Sequence, residues 1–454
     1  MAFIAPFRAV RFNPAKIEKM EDVVSPPYDV IDPAAQVALE AKDQYNMIKL
    51  DLTKRGGTEI SDARYDGAKE TFAHWQDEDV LIHDDTPAIY LYHIDYTLPN
   101  GTMFRRKGLS AMARLHEFSE GIVKPHEKTF RGVTDDRLRL LDTCQCQFSQ
   151  IFSLYSDEHN EIMQTLEAGM DEEPLCSASD QDGCVHSIWP VTDPAILKKV
   201  QGLFADKALY IADGHHRYTT SLRLRETMIE RDGSVPEDSP YNHIMMYLCP
   251  MEDEGLSVLP THRLVHYPGK ITVPELVEKM RESFGVKEIT NGTREAQIAE
   301  VLVQMEDVRK SKTAFGMYDP ADDRCFLLTL KEGAMDKGVG VGGSDVLRAL
   351  DVVVLSDLII DKHLGLCHEK CDDEDLIHYF ADPDEALDQA VKESTNRDDI
   401  TPILFLMNNT PVKQVQAVAD QNLFMPHKST YFYPKVLTGL LLNKLVADEA
   451  YRQL

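Results

Sequence analysis

Positive charge is scarce in this chain. It carries 48 Lys and Arg against 76 Asp and Glu, a formal net charge of −28. A field of that sign repels phosphate backbones and anionic membrane surfaces at long range. Neither nucleic acid nor a membrane is therefore expected as a partner. A small anionic ligand stays open, because a few local cations override the global field at short range. Long apolar runs are also missing. No stretch reaches the 18 or so residues that a membrane span needs. The best candidate, Val346 to Ile360, is interrupted by Arg348, Asp351 and Asp357. The first residues, Met1 to Arg8, show no basic segment followed by an apolar core, so no signal peptide is expected. There is no repeat of fixed period and no low-complexity tract. Eight cysteines in 454 residues do not suggest a disulfide scaffold. The Cys367-His368-Glu369-Lys370-Cys371 pair has no second pair at zinc-site spacing, so a structural metal is not expected there. Reduced thiols and a cytoplasmic location follow as expectations.

What is present is ordinary globular material, 43% hydrophobic and 27% charged. At about 150 residues per domain the length suggests three domains or two large ones. The patterning predicts a mixed α+β, α/β-type chain. A helix is expected from Asp62 to Asp77, and a hairpin from a strand at 88–96, a turn at Pro99-Asn100-Gly101 and a strand from Met103 to Leu115. A helix opens at Asp135 and Asp136, a strand runs from Ile151 to Tyr155, and a helix spans Glu161 to Met170. Asp193-Pro194 reads as a cap and first helical residue for a helix to Phe204. The strand Ala208 to Ala212 is followed by a helix from His215 to about Arg231. Tyr241 to Cys249 is a further strand, and Leu256 to Val265 is expected to continue the sheet. Beyond a soft boundary near 268, helices are expected at Val273–Phe284, Arg294–Glu306, Asp345–Leu364 and from Pro434 to the end. Strands are expected at Thr313–Tyr318, Cys325–Leu330 and Ile400–Met407, with a glycine-rich loop from Gly333 to Gly343. The expected division is an N-terminal α/β region 1–115, a central core 116–268 and a C-terminal α/β domain 269–454.

The chemistry concentrates at Asp213-Gly214-His215-His216-Arg217, where a strand ends and a helix begins. Ligands of α/β folds collect at such strand ends, and a helix N-terminus offers unpaired N–H groups and a positive dipole end. Gly214 lets an anion approach the backbone. Arg217 supplies a planar fork for phosphate or carboxylate, and Asp213 is a candidate to cap the helix, hold a divalent cation or orient a histidine. The bland reading is a polar cap with surface histidines. A second loop, Lys124-Pro125-His126-Glu127-Lys128-Thr129-Phe130-Arg131-Gly132, packs an acid, an imidazole and cations together. The third segment, Met425 to Lys435, combines cations and hydroxyls with Tyr431, Phe432 and Tyr433. Ser25-Pro26-Pro27-Tyr28-Asp29-Val30 and Leu259-Pro260-Thr261-His262-Arg263 are smaller clusters.

Taken together and in their order along the chain, these five segments resemble the signatures of a prokaryotic family, domain of unknown function 1015. More distantly, Gly214-His215-His216-Arg217 is similar to the Gly-X-X-Arg turn that the ParB/sulfiredoxin superfamily sets against nucleotide phosphates. His215 stands where sulfiredoxin has cysteine, which argues against sulfiredoxin chemistry. Within that superfamily the free-serine kinases look similar at Asp-Gly-His-X-Arg. The resemblance implies a central ParB/sulfiredoxin-like nucleotide-binding core with N- and C-terminal additions. It also implies a nucleotide-dependent small-molecule kinase using ATP or ADP with Mg²⁺ on the hydroxyl of serine or a similar compound. Glu127 is the expected base, with His126, His215 and His216 stabilising or relaying charge. Asp213, Gly214, Arg217, Lys128, Thr129, Arg131, His262, Arg263, Lys428 and Ser429 would hold the nucleotide, and Asp213 the metal. A nucleotide or phosphoester hydrolase and a non-catalytic nucleotide-binding regulator are the alternatives. The oligomeric state is left open, a homodimer included.

Overall fold

Five consecutive residues, Ile151 to Tyr155, are all buried in the computed structural model of the protein, so this strand has no solvent-facing side. It runs inside a nine-stranded mixed sheet. In chain order the strands are β1 (Ile4–Ala5), β2 (Ile89–Thr97), β3 (Met103–Arg114), β4 (Val123–Lys124), β5 (Ile151–Tyr155), β6 (Cys176–Ser179), β7 (Val185–Val191), β8 (Leu209–Asp213) and β9 (His243–Pro250). Their spatial order is β4-β8-β5-β9-β3-β2-β7-β6, with β1 added to β3. The structure describes residues 1–53, 62–98, 101–335, 344–367, 371, 376–394, 400–446 and 449–454. The hairpin β2–β3 pairs as the alternation predicts; Pro99 and Asn100 of its turn lie outside the described residues. Since β3 is hydrogen-bonded to β9, residues on both sides of the division expected at 115/116 share this sheet.

Helices of this part of the chain include α1 (Ala63–Asp77), α2 (Arg131–Cys144), α3 (Glu161–Glu167), α4 (Pro194–Phe204) and α5 (His215–Asp232), of which α3, α4 and α5 pack on the sheet. α4 starts as read from its sequence: the Asp193 carboxylate accepts from the N–H groups of Ala195 and Ile196. α2 starts four residues before the expected pair Asp135-Asp136. One face of the sheet buries Leu166 of α3, Leu197, Val200 and Phe204 of α4, and Tyr218 and Leu222 of α5 against Ile151, Tyr155, Leu209 and Ile211. Each such side chain contributes about 1.5–3 kcal/mol when fully buried. A second cluster joins α1 and α2 through Tyr65, Phe72, Trp75, Leu140 and Cys144, and includes Leu442 from the C-terminal tail.

Residues Met1–Ser257 and Pro434–Leu454 form one compact unit and Val258–Tyr433 a second. The boundary therefore falls ahead of the expected 268. His262–Pro268, expected to extend the first sheet, is β10 of a six-stranded antiparallel sheet instead. Its partners are β11 (Phe284–Ile289), β12 (Ala314–Asp319), β13 (Arg324–Leu330), β14 (Ile377–Phe380) and β15 (Ile400–Leu406), in the order β11-β13-β12-β15-β10-β14. Helices α6 (Val273–Met280), α7 (Arg294–Val308), α8 (Pro383–Ser394) and α9 (Val412–Asp420) belong to this unit. Ile298, Val301 and Met305 of α7, with Ala386, Leu387 and Ala390 of α8, bury one face of the sheet.

Three expected helices differ. The Val273 helix stops at Met280, and Phe284 begins a strand. The Asp345–Leu364 helix breaks into Asp345–Arg348, Asp351–Val354 and a π-helical stretch Leu355–His363. No helix runs from Pro434 to the end among the described residues. Gly439 sits at φ 106°, outside helical backbone, and Leu442 bridges Val10 in extended form. The Leu-rich run there matches a helix and a buried extended segment equally well, and tertiary pairing decides. No described helix is long and apolar enough to cross a membrane. All eight cysteines are free thiols. Residues 336–343 of the glycine-rich loop and 368–370 between Cys367 and Cys371 lie outside the described residues.

At Gly316 on β12 the sheet and α7 approach each other closely. A Cβ there would meet Val301 Cγ1 at 2.6 Å and Leu406 Cβ at 2.9 Å. Gly316→Ala is expected to cost about 1–3 kcal/mol through overpacking. A urea titration checks it; an unchanged midpoint would contradict the contact.

Candidate functional site

The motif at 213–217 is built by a kink and a glycine. Along β8 the pairing with β5 shifts register, so that Ile211 faces Ser153 while Asp213 faces Phe152. A bulge of this kind re-aims the strand's last side chain. Gly214 follows at φ 95°, in the left-handed region, as the N-cap of α5. A side chain there would also approach Ile151 Cδ1 and Arg217 Nη2 at 3.0 Å. From His215 the helix runs to Asp232 and ends at Gly233, also left-handed.

Asp213 is the electrostatic centre. Its Oδ1 accepts from Lys435 Nζ at 2.6 Å and its Oδ2 from Arg217 Nη2 at 2.6 Å. Burial alone would push this carboxyl up, but Lys435 and Arg217 outweigh it and hold the group well below the usual carboxylate range. Arg217 turns inward: Nη1 donates to the Gln150 carbonyl at 2.5 Å, and only 11% of the side chain is exposed. It is a strut between strand end and helix start rather than the open phosphate fork that its position in the sequence suggested. Asp213 is equally unsuited to Mg²⁺ in this arrangement. Both of its oxygens already face cations, and a divalent ion there would meet their repulsion.

The second loop lies against this helix start. β4 pairs with β8 in parallel, Val123 opposite Leu209 and Lys124 opposite Tyr210. The N–H of His126 donates to His215 Nε2 at 3.3 Å, and the N–H of Phe130 donates to His216 Nε2 at 3.0 Å. Both imidazoles of α5 thus act as acceptors that fasten the loop, which places the ring proton of each neutral form on Nδ1. The His126 and His215 rings meet edge to face with centroids 4.7 Å apart, and Phe130 stacks on His216. Glu127 sits between the first two: its Oε1 is 4.0 Å from His126 Nε2 and its Oε2 3.8 Å from His215 Nδ1. The side chain of Glu127 is 25% exposed, against 1% for His126 and 4% for His215, so it is the member of the trio that solvent reaches. Lys128 and Arg131 are exposed on the same loop and Thr129 is half-buried; Arg131 opens α2.

Behind Arg217 lies a cavity of about 50 Å³, lined among others by Asp51, Arg137, Ser149, Arg217, Thr220 and Ser221. That is room for a few waters. Arg137 donates to the Asp51 carbonyl at 2.6 Å and to Asp136 Oδ2 at 2.7 Å, and lies over the Tyr28 ring at 4.4 Å. Burial raises the Asp51 carboxyl, with Arg137 and Arg217 opposing. Asp29 acts on Arg217 through space. The Ser25–Val30 turn is therefore part of this site, and Ser25 exchanges backbone hydrogen bonds with Thr438, just beyond Lys435.

The remaining expected ligands belong to the second unit and have structural tasks there. His262 is buried, and its Nδ1 accepts from the Met407 N–H at 3.0 Å. Arg263 is buried with its guanidinium 5.7 Å over the Tyr379 ring. Ser429 is buried and donates to the Pro426 carbonyl at 2.5 Å, while Lys428 holds a left-handed turn position at φ 53°.

The family model described as protein of unknown function (DUF1015) matches residues 4–353. The chain belongs to this family. Among solved structures it is similar to a free serine kinase variant in complex with ADP, at 12% identity over 70% of this chain and 90% of that one, with a TM-score of 0.34. It is also similar to C-terminally truncated SbnI from Staphylococcus aureus, at 10% identity over 74% and 90%, TM-score 0.35. A conserved hypothetical protein from Pyrococcus furiosus matches at 13% identity over 70% and 93%, TM-score 0.31. No curated protein matches.

In this family member, sequence reading missed Asp51, Arg137, Gln150 and the role of Lys435. Lys435 ends a segment that had been singled out. Asp51 and Arg137 gave no signal, since a buried ion pair leaves no local pattern.

Removing Arg217 strips one of two cations from a buried carboxylate. Arg217→Ala is expected to cost about 3–5 kcal/mol of stability, read by urea unfolding. An effect below about 1 kcal/mol would mean that solvent reaches Asp213. A second expectation concerns pH. Burial pushes the His126 imidazole down to about 4 and His215 well below the usual histidine range. In the unfolded chain histidine titrates near ~6.5. Between these values the unfolded state binds protons that the folded state refuses. The stability they contribute is present above pH ~6.5 and is lost as pH falls toward 4. The urea midpoint should drop from about pH 7 to about pH 5, and less so in His126→Asn. An equal drop in the variant would remove His126 from this role.

Proposed function

We propose that the chain is a nucleotide-dependent phosphotransferase acting on the hydroxyl of a small molecule, free serine or a similar amino acid. The observation that carries this reading is the solvent-reached Glu127 carboxylate set between two buried imidazoles at the start of α5. The similarity of Asp213-Gly214-His215-His216-Arg217 to the free-serine kinase motif supports the choice of reaction.

Phosphoryl transfer asks for a positioned hydroxyl, a proton acceptor and neutralisation of phosphate charge. Glu127 takes the proton of the acceptor hydroxyl as its oxygen attacks the terminal phosphorus of ATP or ADP. The bridging P–O bond breaks, and the nucleotide leaves one phosphate shorter. His215 holds the loop through Nε2 and turns its Nδ1–H toward Glu127, which orients the carboxylate. His126 and His216 are positioning residues of the same kind. Lys128 and Arg131 are exposed cations beside Glu127 and are the groups assigned to the phosphates. Arg217 and Asp213 hold the scaffold, and no step is assigned to a protein-bound metal.

The test is to incubate the purified chain with Mg²⁺ and ATP or ADP, offer free hydroxyl amino acids, and detect the phosphorylated product by mass spectrometry. Glu127→Gln should lower kcat by ~10²–10⁴-fold while nucleotide affinity stays within a few-fold. Lys128→Ala should weaken nucleotide binding without unfolding the chain. Full turnover in Glu127→Gln would remove Glu127 as the base. A parent protein that binds nucleotide and transfers nothing would favour a regulatory nucleotide-binding protein.

A further inference from the structure

In the second unit, three side chains distant in sequence converge on one face. Side chains at 262, 264 and 266 of β10 share a side of the strand by alternation. Leu264 enters the core beneath α8. His266 therefore also points toward α8, and it is buried. β14 lies beside β10 with His378 opposite Leu264, which puts His378 diagonally across from His266 on the same face. Glu393 lies on α8 seven residues, about two turns, beyond buried Ala386 and three residues beyond Ala390, so it faces the sheet.

The donors are close. His266 Nε2 is in hydrogen-bond contact with Glu393 Oε2, and His378 Nδ1 lies 3.8 Å from Glu393 Oε1. One donor atom from each residue falls within 4.8 Å of the other two. The two rings meet edge to face, centroids 4.4 Å apart. A tetrahedral ion with bonds of about 2.0–2.1 Å needs donors about 3.4 Å apart, so small side-chain shifts bring all three into its shell. A further group orients the carboxylate: Gln389 Nε2 donates to Glu393 Oε1 at 2.6 Å. The side chains of His266 and Glu393 are 3% and 9% exposed and that of His378 is 36% exposed. The cluster is thus buried at His266 and Glu393 and reaches solvent at His378, the side from which an ion would enter.

We propose that His266, His378 and Glu393 bind a divalent transition metal of the zinc class. Two imidazoles and one carboxylate are a donor set suited to zinc, and all three lie in one compact unit apart from the residues assigned to phosphate transfer. The site is a separate property of the chain and stands or falls independently of the kinase reading.

The experiment uses the full chain stripped with a chelator and titrated with Zn²⁺ against a chromophoric indicator. One equivalent should bind, and the thermal midpoint should rise with Zn²⁺. His378→Ala, at the partly exposed position, and Glu393→Gln should each weaken binding by at least about 100-fold, more than the loss of an outer partner costs. Both should abolish the thermal shift, with circular dichroism confirming that the fold is kept. Co²⁺ loaded in place of Zn²⁺ should give a spectrum without thiolate charge transfer, since the donors are nitrogen and oxygen. Unchanged binding in either folded variant, a thiolate band pointing to the cysteines, or no stoichiometric binding by the parent chain would each overturn the proposal. The last result would leave His266 and Glu393 as a buried hydrogen-bonded pair.

Discussion

A buried carboxylate held between two cations organises the first unit. An isolated ionised Asp213 would lose several kcal/mol on leaving water. Lys435 and Arg217 offset that penalty, one on each oxygen. Lys435 comes from the C-terminal tail and Arg217 from α5, while Gln150, the second partner of Arg217, precedes β5. Strand end, helix start, neighbouring strand and tail are thereby tied at one point. The bulge on β8 and the left-handed Gly214 are the backbone conditions for that knot.

With the knot in place, α5 presents His215 and His216 as hydrogen-bond acceptors, and the loop at 126–130 closes on them. This division of labour separates two kinds of polar residue in the motif. The buried ones carry the architecture, and burial disfavours the charged form of the His126 and His215 imidazoles. Glu127, Lys128 and Arg131 are the ones that solvent reaches. The functional reading therefore moves away from the motif's most conspicuous letters toward the loop they hold. Behind them, Asp51 and Arg137 line a small cavity with Arg217. Burial disfavours the Arg217 charge, and Asp213, Asp29, Tyr28 and Asp51 together outweigh it.

The second unit follows simpler rules. Its sheet is antiparallel throughout, and α7 and α8 bury one face. Polar residues that the sequence suggested as phosphate ligands are spent on its construction. His262 receives a backbone N–H, Ser429 closes a turn, and Arg263 lies over an aromatic ring. The cluster His266, His378 and Glu393 is different in kind, because it brings two strands and a helix together through donor atoms rather than apolar ones.

Local signals in the sequence were enough for elements whose cause is local. The cap Asp193-Pro194, the alternation of the β2–β3 hairpin, the apolar run Ile151–Tyr155 and the strand–Gly–helix turn at 213–215 were legible because each depends on neighbours a few residues away. They also singled out the 213–217 motif and the loop that carries Glu127, which the structure brings side by side. What only the tertiary structure decided depends on distant partners. The leucine-rich tail became extended because Val10 and Ser25 supply backbone partners. Strand His262–Pro268 joined the second sheet because Ile400–Leu406 and Ile377–Phe380 flank it. Arg217 became a strut because Asp213 and Gln150 lie within its reach, and Lys435 entered the site from 222 positions away in sequence. Burial and pairing of charge are properties of the folded surroundings, so residue type alone could not say which cation would face a ligand and which a carboxylate.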